Sequence, residues 1–174
     1  MTQAAARVTG RYVRNGALRL PALLACAMAF FAFAPPAVAQ TREAVAIVVH
    51  PESEVTDLTS AELRSIFLAD RQFWNDRSRI TLLVRAPSAY ERDVVLHRVY
   101  RMDEAQFRQY WIGKMFRAEV ATGPKIVASS DMAAQLVSAI RGAITFVPAS
   151  EIRPNMRVVR IDGKLPSDPA YPIR

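Results

Sequence analysis

Cysteine and histidine are nearly absent from this chain of 174 residues, which has one cysteine and two histidines. A single thiol cannot form an internal disulfide. His50 and His97 stand alone, without a His-x-x-x-His pair or a carboxylate cluster, so the sequence offers no metal site. The Gly-x-Ser-x-Gly elbow, the P-loop and the dinucleotide fingerprint are also missing, and no nucleophile stands out. We therefore expect a protein that is not an enzyme and that uses no metal or cofactor.

The first 39 residues are typical of a secretory signal peptide. They carry four arginines and no acidic residue, then an almost wholly apolar run over 20–34, and they end in small residues at Ala39. The apolar run of about 15 residues is short for a membrane span, and two prolines end it. We expect cleavage after Ala39, a mature domain over 40–174, and a periplasmic or secreted location.

Most of the positive charge belongs to that leading segment. The net charge of +7 at pH 7 falls to +3 when its four arginines are removed. A mildly basic domain lacks the basic stripe that binding to a nucleic-acid backbone requires, so we exclude nucleic acid as a partner. Cys26 also lies in this segment. A lipid anchor on Cys26 is the alternative to its removal, but too few apolar residues precede it and a long apolar run follows it.

Strand-like and helix-like segments alternate through the mature chain. Apolar runs rich in β-branched residues predict strands, and apolar residues at helical spacing behind a capping residue predict helices. The predicted strands cover 44–49, 80–84, 125–128, 143–147 and 156–161, and the predicted helices begin near 59, 88, 103 and 130. This alternation predicts one α/β domain with a largely parallel (mixed) sheet flanked by helices.

The most informative segment joins a strand to a helix. Arg85 ends the strand, and Ser88 precedes a helix whose first N–H groups belong to Ala89 and Tyr90. A guanidinium, a hydroxyl and helix N–H groups aimed at one point form a pocket for a small anion. Ser88-x-x-Glu91 is also a capping box, like Thr59-x-x-Glu62. Capping and anion binding are compatible, and capping alone is the simpler alternative.

In α/β sheets, ligands bind beyond the carboxyl ends of the strands. Arg85 to Ser88 is expected at that edge, together with the loop over 50–59 and Ser129-Ser130-Asp131. Other conspicuous side chains are expected to be structural. The core is predicted to hold Tyr110, Trp111 and Trp74, with a binding lip as the alternative for Trp74, and solvated helix faces are predicted to hold Arg92, Arg98, Arg101 and Arg108.

The mature chain carries a series of motifs whose order is more specific than any one of them. In sequence they are His50-Pro51 behind a strand, Leu58-Thr59-x-x-Glu62-Leu63-x-x-Ile66-Phe67-Leu68, Trp74-Asn75-Asp76, the strand to Arg85 followed by Ser88, Gly142-Ala143-Ile144-Thr145-Phe146-Val147, and the closing segment Ile161-Asp162-Gly163-Lys164-Leu165-Pro166 with Tyr171-Pro172. This order resembles the phosphate-type substrate-binding proteins of ABC transporters.

The resemblance implies a periplasmic-binding-protein-like fold shortened to about one of its two lobes. It also implies binding of phosphate or another small oxyanion through Arg85, Ser88, Ala89 and Tyr90. Expected partners are a membrane transporter of the ABC type, or a second lobe or second copy that completes the site. The family pattern has an acid and then Ser-Gly-Thr after the arginine, whereas this chain has Pro87, Ala89 and Tyr90 there, so a hydroxyl and a flexible glycine are lost. The alternative is a protein-interaction module of the cell envelope that no longer binds solute.

Overall fold

The computed structural model of the protein describes residues 43–174. The predicted signal peptide, its cleavage point and Cys26 lie outside the described residues. Among the described helices, none is both long enough and apolar enough to cross a membrane.

Five strands form a mixed sheet, whose order is β4 (Lys125–Val127), β3 (Thr81–Arg85), β5 (Ala143–Pro148), β1 (Val45–Val49) and β6 (Arg157–Val158). The central strand β1 is buried along its whole length, as its continuous apolar run predicts. Strand β3 runs parallel to both β4 and β5. In contrast, β1 runs antiparallel to β5 and to β6. The predicted α/β fold with a mixed sheet is confirmed, and its parallel part is β4-β3-β5.

Helices cover both faces of this sheet, because successive side chains of a strand point to opposite faces. Ile47 and Val49 pack into a core with the three earlier helices, whereas Ala46 and Val48 pack into a second core with the last helix. The helices are α1 (Ser60–Phe67), α2 (Tyr90–Val95), which continues as a π-helical segment (Leu96–Tyr100), α3 (Glu104–Phe116) and α4 (Ser130–Ala139).

The predicted strand over 156–161 is wrong in one respect, because it divides between two sheets. Its first part is β6, and its last part is β7 (Arg160–Ile161), which pairs in parallel with the short strand β2 (Asp57–Leu58). The backbone N–H of Val159 still donates to Ile47 of the main sheet at 2.9 Å, whereas that of Arg160 donates to Thr56 at 3.0 Å. The chain therefore passes from the main sheet to the two-stranded sheet between Val159 and Arg160. It then reaches the amino end of α1, where Asp162 contacts Ser60.

Candidate functional site

The carboxyl edge of the parallel strands brings two of the predicted segments together. Arg85 at the end of β3 lies opposite Val127 at the end of β4, and the N–H of Ala86 donates to the Val127 carbonyl at 2.9 Å. Helix α4 begins directly after β4, where the Ser129 hydroxyl accepts from the N–H of Met132 at 3.1 Å. The Arg85 turn and the Ser129 cap therefore share one edge of the sheet, as predicted.

The predicted placement of the loop over 50–59 at that edge is wrong. Strand β1 is antiparallel to β5, and its last residue Val49 lies opposite Ile144 near the start of β5. The loop behind β1 therefore lies at the opposite edge from Arg85. A continuous apolar run predicts a buried strand but carries no information about its direction, so the sequence pattern could not place this loop.

That opposite edge holds a cavity of about 530 Å³, which is lined by residues of the 50–59 loop and by Trp74, the side chain for which a binding lip is the alternative. Trp74 forms part of its wall and is 6% exposed, so the prediction that it belongs to the core is confirmed. Its indole N–H donates to the Gly142 carbonyl at 3.0 Å. The guanidinium of Arg71 lies 5.9 Å from the centre of the Trp74 ring, and Arg141 forms an ion pair with Glu52 at 2.6 Å. Both cations on this cavity are thus engaged within the protein.

Arg85 is also engaged, and its partner is Glu91. The Nε of Arg85 donates to Oε1 of Glu91, and the two side chains are 12% and 6% exposed. A second nitrogen of Arg85 donates to the Val127 carbonyl at 3.4 Å. Glu91 is the second residue of α2, where the positive end of the helix dipole favours a carboxylate. Arg85 therefore already binds an anionic oxygen, and that oxygen belongs to the protein.

The predicted capping box of Ser88 and Glu91 is wrong. Helix α2 begins at Tyr90 behind an N-cap residue, Ala89, that makes no side-chain capping hydrogen bond. Ser88 is exposed and adopts a left-handed backbone with φ of +70°. The physical reason is competition, because the carboxylate of Glu91 pairs with Arg85 instead of reaching back to the Ser88 N–H.

The four predicted site residues nevertheless lie along one short turn. The N–H of Ala89 donates to the Ala86 carbonyl at a long 3.4 Å, and the Tyr90 hydroxyl donates to the Glu43 carbonyl at 3.0 Å. Because α2 has no side-chain cap, its first N–H groups, those of Tyr90 and Glu91, remain the unpaired donors that a helix start leaves. The segment that follows Arg85 thus offers free amide donors, while Arg85 itself is held by Glu91.

A second arginine, Arg92, supports this edge, and its predicted place on a solvated helix face is wrong. Arg92 is buried and donates from two nitrogens to Glu104, at 2.9 and 3.0 Å. It also donates to the carbonyl of Arg85, and its guanidinium lies 4.8 Å from the centre of the Phe107 ring. Sequence spacing gave no signal for this contact, because Glu104 belongs to a different helix. Arg92 fixes the backbone on which Arg85 stands.

Comparison with solved structures identifies the class of protein that shares this fold. The chain matches an ABC-type phosphate transport receptor from Vibrio cholerae with a TM-score of 0.59 and 20% identity, covering 72% of this chain and 48% of that one. It matches PstS from Borrelia burgdorferi with a TM-score of 0.59 and 17% identity, over 75% of this chain and 54% of that one. A phosphate-binding protein from Stenotrophomonas maltophilia matches with a TM-score of 0.54 and 14% identity, over 71% of this chain and 40% of that one.

These matches define the fold, since identities this low carry no further conclusion. The fold is that of phosphate-type substrate-binding proteins, as the motif order predicts, and the chain spans about half the length of the solved proteins that it matches. That extent is consistent with one lobe. No protein-family model matches the sequence, and no curated protein matches it.

Proposed function

We propose that this chain is an exported, single-lobe protein of the solute-binding type, without enzymatic activity. It binds phosphate or another small oxyanion at the carboxyl edge of β3, through Arg85, Ser88 and the N–H groups of Ala89 and Tyr90. The fold likeness supports this proposal, because the matched proteins are named as phosphate receptors or phosphate-binding proteins. Export is tested by the intact mass of the secreted chain, which should begin at Gln40, whereas a lipid mass on Cys26 would contradict it.

The chemical support for the proposal is that Arg85 stands at the carboxyl edge of β3 and that its guanidinium can hold an anionic oxygen. Its guanidinium stands at the end of a buried strand and holds the Oε1 atom of Glu91. Phosphate and sulfate oxygens offer the same acceptor chemistry to an arginine as a carboxylate does. An oxyanion could therefore take the same hydrogen bond from Arg85, and the unpaired N–H groups of Tyr90 and Glu91 begin the helix that follows this strand.

Calorimetric titration with phosphate, sulfate and small carboxylates tests the proposal. The exported chain should bind at least one of these anions with weak, millimolar affinity, because one lobe encloses the anion on one side only. The matched variant is the double substitution R85M/E91Q, which removes the cation without leaving a carboxylate buried alone. It should remain folded and lose binding. Binding that survives in R85M/E91Q would place the anion elsewhere.

A second candidate function is a protein-interaction module of the cell envelope. The same ion pair favours it, because Glu91 gives Arg85 a structural partner that needs no solute. In that case no anion binds at millimolar concentration to any variant. The two candidates therefore separate in the same titration.

We propose three partners for this site, on the likeness to one lobe of the matched proteins. A membrane transporter of the ABC type, a second lobe or a second copy would cover the carboxyl edge. Sedimentation with and without phosphate tests the second copy. If a second copy completes the site, phosphate should shift the protein towards a dimer. If the protein stays monomeric with and without phosphate, a second copy is not the partner.

A further inference from the structure

We propose that Glu91 competes with the ligand for Arg85 and thereby sets the affinity of the candidate oxyanion site. The inference rests on the proposed function of that site. An arginine side chain does not lose its proton at ordinary pH, so a largely buried guanidinium is stabilised by an anionic partner. In this structure the partner is Glu91, whose own side chain is more deeply buried than that of Arg85.

A ligand that reaches the Nε–H of Arg85 must take the place of the Glu91 carboxylate. It exchanges one charge-assisted hydrogen bond for another, so its net gain is smaller than the bond that it forms. The displaced carboxylate then lies close to the bound anion, and the two negative charges repel each other. Both effects lower the affinity of the wild-type site for an anion below that of a site with the same donors and no Glu91 carboxylate.

Asp93 supplies a matched control. It lies in the first turn of α2, two residues from Glu91, and its side chain is exposed. The substitution D93N therefore removes one negative charge near the site without releasing Arg85 or Arg92. A gain in affinity that appears in E91Q and not in D93N is thus specific to Glu91 and is not an effect of net charge.

Phosphate titrated by calorimetry into wild type, E91Q, E91D and D93N tests the inference. E91Q keeps an oxygen acceptor for Arg85 but removes the charge, and it should bind phosphate at least about tenfold more tightly than wild type. E91D keeps the charge on a side chain that is shorter by one methylene group, and its affinity should fall between the two. D93N should bind as wild type does. Thermal unfolding of each variant establishes that it is folded.

The outcomes separate this inference from the proposed function. If wild type binds phosphate and E91Q binds no more tightly, the competition is overturned while the proposed function stands. Equal gains in E91Q and D93N also overturn it, because charge alone then explains both. If E91Q does not fold, a folded E91D with wild-type affinity overturns it. If neither wild type nor a folded E91Q binds phosphate, the proposed function itself fails.

Discussion

Asp162, near the carboxyl end of the chain, accepts a hydrogen bond from the backbone N–H of Ser60 at the start of α1, at 2.9 Å. Its second oxygen accepts from the Ser60 hydroxyl. These hydrogen bonds join residues that are 102 positions apart. The closing segment therefore stabilises the first helix of the domain.

The Asp162 contact predicts a stability difference that depends on pH. The hydrogen bonds from the Ser60 hydroxyl and N–H lower the pKa of the Asp162 carboxyl below its usual value. A lowered pKa means that the charged form stabilises the fold above the unfolded pKa of about 3.9 and that this contribution is lost as pH falls through the folded value. D162N should therefore melt below wild type at neutral pH, with a difference that disappears in acid. A constant difference across the range would show that the charge of Asp162 is irrelevant.

The two Ser/Thr-x-x-Glu spacings predict opposite results. At Thr59 the capping box is confirmed, since the Thr59 hydroxyl accepts from the Glu62 N–H at 3.1 Å and Glu62 accepts from the Thr59 N–H at 2.9 Å. T59A should therefore cost about 1 kcal/mol of unfolding free energy. S88A should change the free energy of unfolding by no more than about 0.5 kcal/mol, because the Ser88 side chain does not cap the helix. Chemical denaturation measures both, and an equal loss in the two variants would contradict the observed helix start.

Removing Arg85 alone should destabilise the protein. R85A leaves the carboxylate of Glu91 largely buried without its cation, which costs on the order of 3 kcal/mol. The double variant R85M/E91Q removes both charges and should recover most of that loss. Denaturant unfolding of the two variants checks this. Equal stability of R85A and R85M/E91Q would mean that the pair is not coupled.

Gly142 has no room for a side chain. Its φ is +82°, and a Cβ atom there would lie 2.4 Å from the carbonyl oxygen of Arg79. G142A should therefore cost at least about 2 kcal/mol, from backbone strain and steric overlap together. Gly123 provides the control, because its Cβ would meet Met115 at an ordinary 4.0 Å. If G142A and G123A have the same melting temperature, the turn before β5 adopts another conformation.

The sequence predicted local features well where one segment determines them. The buried run of β1, the Thr59 box and the alternation of strands and helices all depend on neighbouring residues. The Ser88 box has the same spacing and fails, because Glu91 finds a stronger partner in Arg85. Similarly, the antiparallel direction of β1 depends on its pairing with β5, nearly a hundred residues away. Predictions from spacing therefore failed where a contact from another strand or helix decided the outcome.

NMR spectroscopy of the protein during a phosphate titration shows whether an oxyanion binds beside Arg85. We expect saturable shifts of the Arg85 Nε–H and of the backbone N–H groups of Ser88, Ala89 and Tyr90. We expect little change at the indole N–H of Trp74, which lies on the cavity at the opposite edge. Shifts confined to Trp74 and its neighbours, or no saturable shift at millimolar phosphate, would show that no oxyanion binds at Arg85.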